Sequence, residues 1–403
     1  MIFLTIYASL SCLTHLALYR FTLRWLDITH PALRAGLIPL FAILAFGFMG
    51  AFFLLRSTQA PWAIGLYRVA AVWQALAINL FLAAAATWGV HGLLRVMGSP
   101  SVGFRRVAAV AVALAVGAAA FGFWRAFHPV VTDVEVALEG LPGRWRNRTV
   151  VQLSDVHLGH FHGAAALKRL TDRVKALSPD LVVITGDLFD GMSDGMSAFA
   201  EPLRALAAPQ GVFFVTGNHE VYAGLRRSLD LLDRTGIRVL SNEVVDVDGL
   251  NLMGVSYPGV DDPGQIRGLD AARANGRPLI LLFHTPTDIR APGSIDRRTA
   301  TYWQPDTSFA LVRGLGVALQ LSGHTHRGQI FPFGLLTRWI YGGCDFGLHR
   351  QGSFTLCTSS GVGTWGPPMR TEAAPEIVRI TLRAKSLPVA GGPEFKVDTN
   401  ATK

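Results

Sequence analysis

The sequence predicts an α/β domain, a sheet covered by helices, carried behind about four membrane-spanning helices. Three observations lead there. Half of the 403 residues are hydrophobic and the mean hydropathy is +0.34, too apolar for an ordinary soluble protein. The excess is uneven: within residues 1–128 Asp27 is the only carboxylate. Beyond them, apolar runs of strand length alternate with helical patterns and Gly/Pro-rich turns, and run after run ends in a cluster of Asp, Asn or His.

Four apolar stretches, 2–19, 37–55, 69–90 and 107–124, each come close to the roughly 20 residues that carry a helix across a bilayer core. The first has no basic start and runs directly into Arg20 and Arg24, so it reads as an anchor rather than a cleaved signal peptide. In the third, Gln74 and Asn79 are polar and positioned to hydrogen-bond a neighbouring helix. The four stretches contain no carboxylate, which weighs against a transport pathway. Arg20, Arg24 and Arg34 follow the first stretch and Arg95, Arg105 and Arg106 the third, against Arg56 and Arg68 after the second. Positive-inside counting therefore places both termini, and the domain beyond residue 128, on the extracytoplasmic side, although Arg125 and Arg144, Arg146 and Arg148 count the other way.

The net charge of +9 comes largely from Arg flanking apolar segments, so anionic headgroups are expected as partners and nucleic acid is not. Cys12, Cys344 and Cys357 are too few for a disulfide framework and read as thiols.

Past the boundary, Thr132–Leu138 alternates as a half-exposed strand does. Thr149–Leu153 is the next strand, and Gly163–Leu177 has helical spacing that stops at Ser178-Pro179. Leu181–Ile184 and Gly211–Val215 are continuous apolar strands of the buried type, separated by a helix near Ala198–Ala207. Further strands are expected at 238–240, 244–247, 250–255, 278–283, 316–321, 352–358 and 375–382, with loops or short helices at 258–276 and 285–307. Residues 386–403 are polar and read as a disordered tail. The division is thus 1–128 membrane, 129–385 globular, 386–403 tail.

Strand ends deliver Asp155 and His157, then Asp187, then Asn218 and His219, then His284, then His324 and His326. Imidazole mixed with carboxylate suits first-row divalent metals such as Mn, Fe, Zn or Co better than Ca or Mg. Asp155, His157, Asp187, Asn218, His284, His324 and His326 are too many ligands for one ion. Two ions about 3.5–4 Å apart require a shared carboxylate, and such a pair suits phosphoester hydrolysis.

The ordered motifs Ser154-Asp-x-His-x-Gly159, Gly186-Asp187, Gly217-Asn-His219, His284 and Gly323-His-x-His326 resemble those of the calcineurin-like metallophosphoesterase superfamily over about residues 130–383. Ser322–Ile330, Ser359–Thr364, Pro367-Pro-Met-Arg370 and Pro375-Glu376 are similar to its membrane-attached bacterial branch, which includes enzymes cleaving the pyrophosphate of UDP-diacylglucosamine, and transmembrane proteins with a metallophosphoesterase domain. The resemblance implies a four-layer αββα sandwich of two sheets. It implies Asp155, His157 and His326 on one metal, Asn218, His284 and His324 on the other, and Asp187 bridging. His219 would face the phosphate and protonate or orient the leaving oxygen, and metal-bound hydroxide would attack without a covalent intermediate. Glu220 stands where Asp is common and would orient His219. Arg327 stands where this branch usually has Gly, and either binds a substrate phosphate or points to solvent.

The expected protein is a multi-pass phosphoesterase of the bacterial inner membrane with two divalent ions, Mn foremost. Its substrate would be a phosphodiester or pyrophosphate, lipid-linked or nucleotide-linked, with glycolipid metabolism as the setting and no obligate protein partner. The competing reading is a non-catalytic metal-binding receptor or scaffold on the same fold. His160 and His162 read as a solvated loop, with reach to substrate the alternative, the arginines at 144–148 as a headgroup-facing or exposed turn, and Phe331-Pro-Phe333 as packing under the site, with a lipid-chain contact the alternative.

Overall fold

The structure, a computed structural model, describes residues 2–98, 103–191, 195–290 and 305–385. Four helices come first: α1 (Ile2–Trp25), α2 (Pro31–Leu55), α3 (Pro61–Val96) and α4 (Phe104–Ala126). Three of them, α2, α3 and α4, are long and apolar enough to cross a membrane. The expected count of four is therefore corrected to three. Ser11, His15, Arg20 and Arg24 dilute the apolar character of α1, and it turns polar groups inward: Ser11 Oγ donates to Ala45 O (2.7 Å) and Trp73 Nε1 to His15 Nε2 (3.0 Å).

The third helix is also longer than the stretch 69–90. Pro61 at its first turn is pre-set for helix, and the 36 residues span about 54 Å, well beyond a hydrocarbon core of about 30 Å. The excess is used at the N-terminal end, where Arg68 donates through Nε and Nη2 to His160 O (3.2 and 2.7 Å) and Tyr67 packs edge-on against the His160 ring. Gln74 meets a neighbouring helix as expected, accepting from Tyr7 Oη at 3.0 Å. Asn79 does not: its Nδ2 donates to Ala75 O one turn back and to Met369 Sδ, at 3.0 and 3.1 Å.

Twelve strands follow among the described residues: β1 (Val130–Leu138), β2 (Thr149–Leu153), β3 (Leu181–Thr185), β4 (Val212–Val215), β5 (Arg238–Val239), β6 (Glu243–Val247), β7 (Leu250–Gly254), β8 (Leu279–Leu282), β9 (Val317–Ser322), β10 (Gly347–Gln351), β11 (Phe354–Thr358) and β12 (Glu376–Ala384). They form two six-stranded sheets, ordered β1-β12-β2-β3-β4-β5 and β10-β11-β9-β8-β7-β6. In each sheet a run of four strands, β2 to β5 in one and β11, β9, β8 and β7 in the other, is parallel, so within each run the C-terminal ends point the same way. That common end is where ligands gather in open α/β sheets. Of the strands, only β10 is absent from the sequence reading; its residues Gly347–Gln351 are mostly half-exposed at a sheet edge and carry little apolar pattern.

Strand periodicity builds the layers. Val150, Leu181, Val183, Phe213 and Val215 face Leu250, Leu252, Ile280, Leu282, Leu319 and Leu321 in a core between the sheets. Their neighbours Val151, Leu153, Val182, Ile184 and Phe214 turn the other way, under α5 (Ala164–Ala176), α6 (Ala200–Arg204), α7 (Asn218–Ala223) and α8 (Leu225–Leu232) in sequence order, with α5, α6 and α8 supplying the packing. On the outer face of the second sheet, Met253, Leu281, Val317 and Leu356 meet α9 (Leu269–Ala274) and α10 (Ala310–Gly314). This is the αββα sandwich. Trp145 closes one end of the inter-sheet core, its Nε1 donating to Val247 O and Asp248 O at 3.2 and 3.0 Å.

The cysteines are unpaired, as expected. The arginines at 144–148 form an exposed turn, with Arg144 paired to Asp248 and Arg148 to Asp180. The segment 386–403, read as a disordered tail, lies outside the described residues. Trp145→Ala, which empties a fully buried indole, is expected to cost about 3–5 kcal/mol, read as a fall in the unfolding midpoint of the detergent-solubilised protein.

Candidate metal centre

The C-terminal ends of β2, β3, β4, β8 and β9 deliver the predicted residues to one place. Three overlapping groups bring ligand atoms within 4.8 Å of one another: Asp155, His157 and His326; His157, Asp187 and His219; Asp187, His284 and His324. Asn218 completes the set, its Oδ1 lying 3.0 Å from His284 Nε2. All eight residues are thereby gathered in one cluster, half-buried at His219 and His324 and buried elsewhere.

The local backbone is bent to achieve this. Asp155, His157, Asp187, His324 and His326 all adopt positive φ, between 49° and 74°, a conformation that L-residues hold only when surrounding structure over-determines it. Two of the motif glycines make the crowding possible: a Cβ on Gly217 would collide with the Asp187 carboxylate, and one on Gly323 with Ser154 and Asp155. Asp155 is tied in turn by Ser154 Oγ at 2.6 Å and by the backbone N–H of His324 at 2.9 Å.

Asp187 sits at the middle. Its Oδ2 is 3.2 Å from His284 Nε2 and 3.9 Å from His157 Nε2, while Oδ1 accepts from the His219 N–H at 2.9 Å. Burial alone would raise its pKa, but His284 and His219 hold it well below the usual carboxylate range. His284, despite burial, is pushed up to about 9 chiefly by Asp187. The field at that point therefore favours positive charge. Three other imidazoles are shifted the opposite way: burial lowers His324 to about 3, burial with the charge of Arg370 takes His326 well below its ordinary value, and burial with the charge of His219 does the same for His157. Imidazole nitrogens and carboxylate oxygens that converge within 4.8 Å of one another are a donor set that a divalent first-row metal takes, so the residues fit such ions.

Three features depart from the sequence reading. Glu220 does not orient the His219 ring. Its carboxylate accepts from the backbone N–H groups of Gly217 (2.8 Å), Asp187 (3.0 Å) and Phe189 (3.1 Å), stapling the loops after β3 and β4 together. The ring of His219 is instead held by Asp190, whose backbone oxygen lies 3.1 Å from Nδ1 and whose carboxylate lies 3.9 Å from the same atom. His160 and His162 are buried, not solvated: His162 Nε2 meets Thr364 Oγ1 at 3.0 Å, and both rings pack against aromatic residues of the N-terminal helices or their end, Tyr67 and Phe127. Phe331 and Phe333 do not pack under the site; they are exposed.

Two residues of the site went unassigned in the sequence. Asp190 had one signal, its place three residues after Asp187. Arg370 closes the Pro367-Pro-Met-Arg370 motif and is fully buried. Its guanidinium donates to Ser360 O (2.8 Å), Gly363 O (3.0 Å from Nε) and His326 O (3.2 Å), and Nη2 lies 2.9 Å from His326 Nδ1. It thus fastens the turn at 360–363 and His326 to one rigid cation. Arg327 is half-buried with its guanidinium 4.7 Å above the Phe346 ring, a cation–π stack at the margin of the cluster.

Residues 148–328 match the profile of the calcineurin-like phosphoesterases. Over 274 residues the chain is 32% identical to an uncharacterized metallophosphoesterase of Helicobacter pylori, a match covering 66% of this chain and 68% of that protein. The chain belongs to the calcineurin-like metallophosphoesterases. It is also 33% identical over 277 residues to the transmembrane protein with metallophosphoesterase domain of Danio rerio (63% of this chain, 57% of that protein). An uncharacterized metallophosphoesterase of Campylobacter jejuni is 35% identical over 267 residues, 64% of either chain. The match thus spans little more than half of the Danio rerio protein. Membership makes this a metal-dependent phosphoesterase, and its three long apolar helices associate it with a membrane.

Gly217→Ala, which drives a methyl into the Asp187 carboxylate, is expected to leave the purified protein with far less bound divalent metal than wild type by elemental analysis. The Glu220→Gln change sets an amide N–H against backbone N–H groups and should cost about 1–3 kcal/mol of stability, measured as a lowered unfolding midpoint.

Proposed function

We propose that this phosphoesterase works with two divalent cations, Mn foremost with Fe, Zn or Co as alternatives, and cleaves a phosphodiester or pyrophosphate bond at the membrane surface. The observation that carries the reading is the position of Asp187, which belongs to two of the three ligand groups and so suits a carboxylate shared between ions. Asp155, His157 and His326 would hold one cation, and Asn218, His284 and His324 the other. Such a pair, when bound, supplies charge for the phosphoryl group and activates a water.

This chain's own residues would do the rest. His219 presents an imidazole whose pKa, lowered by burial but raised more by Asp187 and Asp190, lies above its ordinary value. The Asp190 carbonyl accepts a hydrogen bond from Nδ1–H, leaving Nε2–H as the group to meet the leaving oxygen and protonate it. Tethering by helices raises encounter with substrates embedded in or displayed on the bilayer, which favours a lipid-linked or nucleotide-linked ester. We assign residues 1–128 to the membrane portion, 129–385 to the catalytic domain, and Arg327 to the substrate side of the site.

The test is hydrolysis of a generic phosphodiester and of a lipid-linked pyrophosphate by the reconstituted protein with Mn²⁺. EDTA should abolish the rate and Mn²⁺ restore it. His219→Ala is expected to lower kcat by about 10²–10⁴-fold, and Asp187→Ala to abolish activity; wild-type rates in either variant would refute the residue assignment, and no hydrolysis of either substrate by the wild-type protein with Mn²⁺ would favour a non-catalytic metal-binding scaffold.

The catalytic domain would face away from the cytoplasm. Arg24 stacks on Phe104, so Arg20, Arg24, Arg105 and Arg106 share the bundle end opposite Arg68, which touches the catalytic domain. A phosphatase reporter fused after Lys403 should be active; cytoplasmic-type behaviour of the fusion reverses the orientation.

A further inference from the structure

Four residues beyond His326 the chain leaves the metal cluster and meets the helical bundle. Ile330 packs with Met369 against Ala75 of α3 and Ala119 of α4. Ala75 lies near the middle of α3, and its neighbours Val69 and Val72 are exposed on the same helix. This contact is therefore at the catalytic-domain end of the bundle's apolar belt, still within the apolar stretches 69–90 and 107–124. From there the chain runs into the helix α11 (Phe333–Ile340) and exposes Phe331, Phe333, Leu335, Leu336 and Trp339, from 41% for Phe333 to 80% for Trp339. Those are contiguous apolar side chains that water would solvate poorly, and monomeric soluble surfaces seldom carry such a run.

We propose that this patch is inserted in the lipid bilayer, as a second, interfacial membrane contact made by the catalytic domain itself. Four observations choose lipid as the occupant. The patch is continuous through Ile330 with the surface of helices that are long and apolar enough to span. The stretch Gln329–Cys344 contains no carboxylate, and its one charged residue is the exposed Arg338, next to Trp339. A short helix with Leu and Trp on its outer surface and an Arg able to reach headgroups has the composition of an interfacial segment. Lastly, Gln329 couples the patch to the site: its Nε2 donates to Trp365 O and Pro367 O, both at 3.0 Å. Trp365 is itself half-exposed, and its ring lies 6.2 Å from that of His219. The insertion accordingly holds the His219 side of the site at headgroup depth, where a phosphate carried by a lipid reaches it without leaving the bilayer.

The inference rests on the bundle being membrane-spanning, and the experiment separates the two. In the full chain with Cys12→Ala, the remaining Cys344 and Cys357 are buried, so a single added cysteine takes a nitroxide label. Labels go at Leu335→Cys, Leu336→Cys and Trp339→Cys, with Leu114→Cys on α4 and Lys168→Cys on α5 as references. The protein is placed in nanodiscs of phosphatidylcholine and phosphatidylglycerol, and collision with oxygen is compared with collision with a water-soluble nickel chelate. The expected result is an oxygen-to-nickel ratio at 335, 336 and 339 several-fold above that at Lys168 and near that at Leu114. A ratio at those positions matching Lys168, with Leu114 lipid-exposed, overturns the insertion alone. Spin–spin broadening with both collisions suppressed overturns it in favour of a second copy of the chain. Nickel access at Leu114 overturns the spanning bundle and the insertion together.

Discussion

A single buried anion, the Asp187 carboxylate among imidazoles, is the constraint from which the rest of the catalytic domain follows. Burying it alone would be costly, since the charged form loses its water. The structure offsets that cost by aiming His284 at it, by giving it the His219 N–H, and by surrounding it with neutral donors suited to a cation. Each of these groups comes from a different strand end. Bringing them within a few ångströms requires parallel strands ending at one level, chains that turn left-handed at five ligand residues, and no Cβ at Gly217 or Gly323.

Strain of that kind persists only if the loops are held from behind. Glu220 does so for the turns after β3 and β4 through three backbone N–H groups, and Arg370 does so for His326 and the turn at 360–363. Both are ionisable, buried and satisfied mainly by backbone, which fixes loop positions more tightly than side-chain pairs on a surface would. Burial, with the charge of Asp187, pushes Glu220 up to about 7.

The helical bundle is not a separate tether. Arg68 and Tyr67 of α3 hold the loop that follows the first metal motif, Gly122 O of α4 accepts from the Arg370 N–H, and Asn79 reaches Met369 beside it. The residues that position His326 are thus in contact with helices in the apolar belt, so a change within the bundle acts on the centre through one or two side chains.

The chemistry of the site was legible in the sequence because its ligands sit in short local motifs at strand ends. The continuous apolar runs Leu181–Ile184 and Gly211–Val215 likewise announced a sheet with both faces covered. Those signals are local, and local order survives without knowledge of the partner. What depends on long-range partners did not show. The burial of His160 and His162 follows from α3 and α4 lying over a polar loop, the exposure of Phe331 and Phe333 from where the bundle stops, and the length of α3 from a contact nearly a hundred residues away. Glu220 looked like a partner for its neighbour His219, yet in a helix its carboxylate turns back onto the N–H groups at the helix start. Motif spacing by itself determined which residues gather in the cluster, whereas only the packing of sheets against helices decided which groups hold them there and which apolar residues stay exposed beside the bundle, because those roles are set by surfaces that meet only after the chain has folded.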